Sequence, residues 1–142
     1  MRFDTVKAAV SRLGADWRWP HFTIEELACR CAGQFCRGRY WHDEAVLDGL
    51  EAMRVSMGRA LCVVSGHRCP GWNRQVGGVA GSRHLRLAVD LHLAGHDRHA
   101  MLAAAREAGF TGLGLGRDFL HVDRRGRATQ WFYPGSKHLW QI

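Results

Sequence analysis

The run LAVDLHL, residues 87–93, reads as a strand, yet it carries an aspartate at its centre, Asp90. Aspartate is depleted in strands, and an ionised carboxylate is costly to bury unless it is paired or bound to a metal. Any fold open to this chain must therefore bring Asp90 a partner. His84, six residues earlier, is a candidate fellow ligand. Both sit in the stretch Leu61–His92, where the apolar run LCVVSG (61–66) is followed by a connection punctuated by Pro70 and Gly77-Gly78. Arg68 lies at the start of that connection, among small and apolar residues.

The elements on either side follow from periodicity and capping. Val6, Ala9, Val10 and Leu13 form one face of a short N-terminal helix. Thr23 and Glu26 have capping-box spacing and open a second helix. From Asp43 to Met57 the apolar residues Val46, Leu47, Leu50, Met53 and Met57 recur at helical intervals, and Gly58 follows as a C-terminal cap. LCVVSG, bounded by glycine, predicts a buried strand, and Pro70 suits the first turn of a short helix ending by Gly77-Gly78. Asp97 caps a helix running to about Ala108, with Gly109 as its stop. GLGLG, FLHVD and TQWFY predict a strand-rich end with turns at Arg117-Asp118 and Arg125-Gly126. The expectation is one α+β domain over residues 1–142, with a helical extension at 1–20 and a core at 21–134.

Length and charge narrow the function classes. A chain of 142 residues can bury one hydrophobic core. It has no apolar run near the ~20 residues of a membrane span, so no membrane insertion is expected. The N-terminus lacks the apolar core of a signal peptide, which predicts synthesis in the cytoplasm. The net charge of +7 favours an anionic partner (nucleic acid, acidic lipid or an anionic cell-wall polymer) or is simply spread over a solvated surface. No recognition helix or RNA-binding motif is present, so no nucleic-acid partner is expected. A monomer is expected.

On a strand, residues i and i+2 share a face, so Asp90 goes with His92 and His121 with Asp123. If those two strands pair, one face gathers all four, and His84 arrives from the preceding loop. Two imidazoles, a carboxylate and an open fourth position make a zinc site of the catalytic kind, at which a water is activated. Such a site also needs a general base, and Asp118, three residues before His121, is placed to supply one. Asp123 has two other possible tasks, fixing a histidine tautomer or pairing with Arg124 or Arg125. His92 is either a ligand or a donor to one, whereas His96, His99 and His138 read as surface or core-edge residues. Trp131, Phe132 and Tyr133 either line a groove or fill the core.

Five cysteines are an odd number, so they cannot all pair within the chain, and cytoplasmic synthesis argues against a disulfide framework. Cys29, Cys31 and Cys36, with His42 shortly after, form either a second, structural zinc site or an ordinary cysteine-bearing loop.

The segments VVSGHRCPGWNRQVGG (63–78), GSRHLRLAVDL (81–91) and GLGLGRDFLHVDRRG (112–126) resemble the three signature segments of the peptidase M15 family, zinc peptidoglycan peptidases of the hedgehog/D-Ala-D-Ala metallopeptidase fold. The resemblance runs from about residue 21 to 134. It implies a small antiparallel sheet flanked by helices, one catalytic zinc ion held by His84, Asp90 and His121, and Asp118 as catalytic acid or base. It also implies that Arg68 binds substrate and polarises the scissile carbonyl, and that Ser82 lies close to the substrate. Here His67 stands at the family's aromatic place before the arginine. The step from His84 to Asp90 is six residues where relatives usually have seven, and Leu87 stands where a glycine is expected. The implied function is hydrolysis of an amide bond in peptidoglycan stem peptides on the cell wall, after release or export. A phage or prophage endolysin fits this, as do a D-Ala-D-Ala carboxypeptidase and a non-catalytic zinc-bearing wall-binding module.

Overall fold

The computed structural model describes residues 1–141. Its centre is a five-stranded sheet of β3 (Val63–Ser65), β4 (Val89–His92), β5 (Gly112–Leu115), β6 (Phe119–Asp123) and β7 (Thr129–Phe132), in the spatial order β3-β4-β6-β5-β7. The first three pairings are antiparallel, as expected, and β7 adds a parallel edge beside β5. A second, two-stranded sheet pairs β1 (Arg2–Phe3) with β2 (Tyr40–Trp41). Five helices complete the α+β fold: α1 (Val6–Leu13), α2 (Ile24–Leu27), α3 (Glu44–Met57), α4 (Pro70–Gln75) and α5 (Arg98–Glu107). Among the described residues no helix is long and apolar enough to cross a membrane.

Strand alternation divides the large sheet into two unlike faces. Val89, Leu91, Leu113, Leu115, Leu120 and Val122 are buried on one of them, in the same core as Leu47, Leu50, Met53, Met101 and Ala105 of α3 and α5. Each such leucine contributes on the order of 1.5–3 kcal/mol by leaving water. The helices are held in register locally. Asp43 and Asp97 accept from the amides of Val46 and Ala100, and Gly58 closes α3 in the left-handed conformation (φ 67°). At Gly49 a Cβ would lie 2.7 Å from the Phe110 ring, so glycine is what lets Phe110, three residues beyond α5, lie against α3.

The first twenty residues are tied into this frame through β1. In α1, Ala9 is buried whereas Val10 is 40% exposed, so the helix docks on a narrower face than Val6, Ala9, Val10 and Leu13 together. The capping box at Thr23 and Glu26 is present in full. The run 61–66 pairs only over Val63–Ser65, with a register shift against β4. Such irregularities re-aim a strand. Here the chain leaves the sheet at Gly66 and crosses the end of α2, where His67 N–H donates to Leu27 O (2.9 Å).

Candidate metal centre

Asp90 and His121 are direct cross-strand partners in the β4–β6 register, on the face opposite the helices. His84 reaches them from a 3₁₀ turn at Arg83–Leu85 that Ser82 caps: the His84 N–H donates to Ser82 Oγ (3.2 Å). All three side chains are buried. His84 Nε2 lies 3.2 Å from Asp90 Oδ1, His121 Nδ1 lies 2.9 Å from the same oxygen, and the two nitrogens are 3.2 Å apart. The six-residue step is thus long enough to close the triangle. Leu87, at the place of the family's glycine, turns into the core instead.

The outer hydrogen bonds determine which ring nitrogens are free. A carbonyl oxygen can only accept, so His84 Nδ1–H donates to Gly66 O (2.7 Å), and Nε2 keeps its lone pair. His121 Nε2–H donates to Asp123 Oδ2 (2.7 Å), so Nδ1 keeps its own. Asp123 is held in turn by Arg125, whose Nε and Nη2 donate to its two oxygens (2.9 and 2.6 Å) and whose backbone amide adds a third bond. Asp123 therefore performs both tasks open to it, fixing a tautomer and pairing with Arg125. The outcome is two imidazole lone pairs and a carboxylate oxygen converging on one point, which is repulsive unless a cation or proton sits there.

Ionisation follows the same geometry. Burial would raise the Asp90 pKa, but when a proton occupies the triangle the hydrogen bonds that His121 and His84 then make to Asp90 outweigh it and hold the carboxyl well below the usual range. Burial likewise opposes the shift at Asp123, which Arg125 and His121 keep ionised. Burial would lower His121, yet the carboxylates of Asp123 and Asp90 hold it above its ordinary value. Either a proton or a metal ion can satisfy this electrostatic demand. The ligand atoms of His84, Asp90 and His121 lie within 4.8 Å of one another. A tetrahedral zinc ion with bonds of ~2.0–2.1 Å spaces its ligands by about 3.3 Å, so the donor set and its spacing fit zinc. A histidine that donates its other N–H to a carboxylate or carbonyl is also the usual supported metal ligand.

These atoms form the floor of a cleft of ≈ 600 Å³. Arg68 lies in its wall, with Nη2 3.6 Å from Asp90 Oδ2 and Nε donating to Ser65 Oγ (3.2 Å). Ser82 lines the cleft too, as do Arg83 and Arg125. Trp131 and Tyr133 form the far wall because β5 has glycine beneath them: a Cβ on Gly114 would lie 2.7 Å from both rings. Burial pushes the Tyr133 phenol up to about 12, so it is a hydrogen-bond donor at neutral pH.

Other candidates lie elsewhere. Asp118 is exposed in the β5–β6 turn, and its backbone carbonyl accepts from Leu93; it is not among the residues lining the cleft. His92 shares Asp90's face but is exposed at the strand end, opposite Phe119. Phe132 points out on the other face of β7, 41% exposed. Cys29, Cys31 and Cys36 do gather, but with Cys69, whereas His42 turns away to the Tyr40 hydroxyl (3.0 Å). Sequence patterns gave no sign of the Gly66 carbonyl, which is backbone, or of Cys69, which comes from a distant element. The GxG of β5 was the available signal for Trp131 and Tyr133.

A family model described as Peptidase M15 matches residues 20–123, well over half of the chain. No curated protein matches it.

Proposed function

The chain belongs to the peptidase M15 family, a metallopeptidase family, and on that premise we propose that it is a zinc-dependent peptidoglycan peptidase that hydrolyses an amide bond in cell-wall stem peptides. The observation that carries this is the His84–Asp90–His121 triangle, with its tautomers set from outside, on the floor of an open cleft. Zinc, when held there, lowers the pKa of its water from ~16 towards ~7 and polarises a carbonyl.

The chain's own residues do the rest. Arg68 offers a planar fork that suits a substrate carboxylate or a developing oxyanion. Arg83 and Arg125 add positive charge to the same wall, and Tyr133 adds a neutral donor. A cleft with these three arginines and Asp90 as its one acidic side chain suits an acidic peptide such as a stem peptide. Ser82 keeps the His84 turn in place and reaches the cleft itself. Asp118 is exposed on the turn leading into β6 and outside the cleft lining, so its proposed part as acid and base, moving a proton from the attacking water to the leaving amine, requires its side chain to turn toward a bound substrate. That role is worth typically ~10²–10⁴-fold.

We propose the endopeptidase kind of activity, as in a phage or prophage endolysin acting on the wall after release or export. A D-Ala-D-Ala carboxypeptidase is the second reading, favoured by the place of Arg68 beside Asp90, where a substrate's terminal carboxylate can be gripped. Mass spectrometry of digested sacculi decides between them: endopeptidase action yields cut stem fragments, carboxypeptidase action yields free D-alanine. The wild type should cleave and lose activity with a tight chelator, whereas His84→Ala should be inactive throughout. Cleavage retained with no bound zinc would sink the mechanism. Asp118→Ala should slow turnover by at least ~10²-fold; an unchanged rate assigns the proton transfer elsewhere.

A further inference from the structure

The cysteines hold a second arrangement that the cleft does not use. Cys29 and Cys31 follow α2, Cys36 lies on the next loop, and Cys69 caps the first turn of α4, 33 or more residues later in the sequence. Their four Sγ atoms lie within 4.8 Å of one another, three of the residues buried and Cys36 partly so. Together with Trp72 they form a small cluster separate from the main core. Cys62, the fifth cysteine, is exposed and stands apart.

We propose that Cys29, Cys31, Cys36 and Cys69 bind one structural zinc ion as a tetrathiolate. Three observations carry this. First, the number and spacing fit: zinc–sulfur bonds of ~2.3 Å give a tetrahedron with edges of about 3.8 Å, and Cys31 Sγ and Cys36 Sγ are 3.4 Å apart within a group spanning at most 4.8 Å. Second, every sulfur accepts a backbone N–H. Cys69 N–H donates to Cys29 Sγ (3.3 Å), Cys36 N–H to Cys31 Sγ (3.3 Å), Arg39 N–H to Cys36 Sγ (3.5 Å) and Trp72 N–H to Cys69 Sγ (3.5 Å). Amides aimed at sulfur favour the thiolate, the form that binds metal, and such partners orient a metal's ligands. Third, the backbone is shaped for it. Ala32 is the only non-glycine residue with positive φ (55°) among the described residues, and with Gly33 (φ 85°) it folds the chain between Cys31 and Cys36 back on itself. Arg30, Arg37 and Arg68 each adjoin one of these cysteines in sequence.

A disulfide explains less. One bond joins two of the four sulfurs and leaves two unused, and two bonds split into pairs a group whose four sulfurs all lie within 4.8 Å of one another. All four sulfurs in mutual reach is the arrangement that closed structural zinc sites use. The ion would staple the α2 loop to Cys69, the residue after Arg68, and so brace the wall of the cleft.

The test removes the first site so that the second is read alone. A His84→Ala/His121→Ala chain, prepared with zinc in the medium, should retain one zinc per chain, and X-ray absorption at the zinc edge should give four sulfurs at ~2.3 Å. Cobalt substitution should give the thiolate charge-transfer bands and strong d–d bands of a tetrahedral sulfur site. Adding Cys69→Ser should remove the metal. If that variant does not fold, the spectra of the parent still decide. A metal-free parent, a nitrogen- or oxygen-dominated shell, iron in place of zinc, or a disulfide among these four cysteines by mass spectrometry would each overturn the assignment. None of these readouts depends on peptidase activity.

Discussion

Replacing Asp123 by asparagine tests how the metal centre is built. Asp123 is 1% exposed and accepts from His121 Nε2 on one oxygen and from Arg125 on both. Asparagine keeps the shape but has one acceptor and one donor end. If its oxygen faces His121, its NH₂ points at the Arg125 guanidinium, donor against donor. If its NH₂ faces His121, Nε2 must accept, and the proton moves to Nδ1, where it points at Asp90 and blocks the ligand atom. Either orientation loses a charge-assisted hydrogen bond, and the second selects the wrong tautomer. Partners at this remove typically account for ~10–100-fold in metal affinity, or about 1.4–2.7 kcal/mol. Competition with a chelator of known affinity, in chains carrying Cys69→Ser where that variant folds, measures the loss at this site. In chains that retain the cysteines, a two-site fit separates the ions. Arg125→Gln should give a smaller loss, since it leaves the carboxylate on His121. A folded Asp123→Asn chain within threefold of the parent affinity would refute the idea that Asp123 sets the tautomer.

Two further substitutions probe the segment between β3 and α4. Gly66→Ala would place a Cβ 2.4 Å from Leu27 O, a backbone atom with no freedom to swing aside, and should cost on the order of 1–3 kcal/mol in urea unfolding; an unchanged midpoint removes the claim of close packing. His67→Phe should change the pH dependence of stability. Burial lowers the His67 pKa from 6.5 to about 4, with Arg39 and His84 adding to it, while Nδ1–H donates to Arg86 O and Nε2 has no partner. A histidine depressed in the folded state is protonated first in the unfolded chain, so its contribution falls as pH drops from above 6.5 towards 4. Between pH 7 and 5 the loss is about 2 kcal/mol. The phenylalanine chain should match the parent to within about 1 kcal/mol at pH 7, and its stability relative to the parent should rise by about 2 kcal/mol between pH 7 and pH 5. Parallel curves for the two proteins would show that His67 does not titrate in this way.

Much of the site was legible because it rests on periodicity. The alternation in LAVDLHL and FLHVD puts Asp90 and His121 on the polar face whatever the register, and the core leucines and valines on the other. Direct opposition of the two needs the β4–β6 register as well, which strand pattern alone leaves free. His92 shows the limit of parity, since it has the right face but the wrong depth, at a strand end open to solvent. His42 and Cys69 show another. Proximity in sequence pointed to His42, yet β2 pairs with β1 and carries it toward Tyr40 and Trp19, while the packing of α4 brings Cys69 to the sulfurs. No local pattern encodes that meeting. The glycines of GLGLG were visible, but their purpose appears only once β7 lies beside β5 and Trp131 and Tyr133 occupy the space over Gly114.

The four residues from Gly66 to Cys69 couple the parts of this molecule. The Gly66 carbonyl holds the His84 ring, the His67 ring and amide hold Arg86 and the end of α2, and the Arg68 side chain faces Asp90 while its amide donates to His84 O (2.6 Å). Cys69 enters the sulfur cluster. One short run of backbone thus positions a proposed zinc ligand, a cleft-wall arginine and a proposed structural thiolate at once. The amides of His67, Arg68 and Cys69 tie this run to Leu27 O, His84 O and Cys29 Sγ, so a displacement at one end is passed to the other contacts. A loosened sulfur cluster should therefore shift Arg68 and the His84 ring together, lowering substrate affinity and metal affinity in the same variant. Loss at Asp123, which reaches the centre from β6, should lower metal affinity while leaving the Arg68 wall in place.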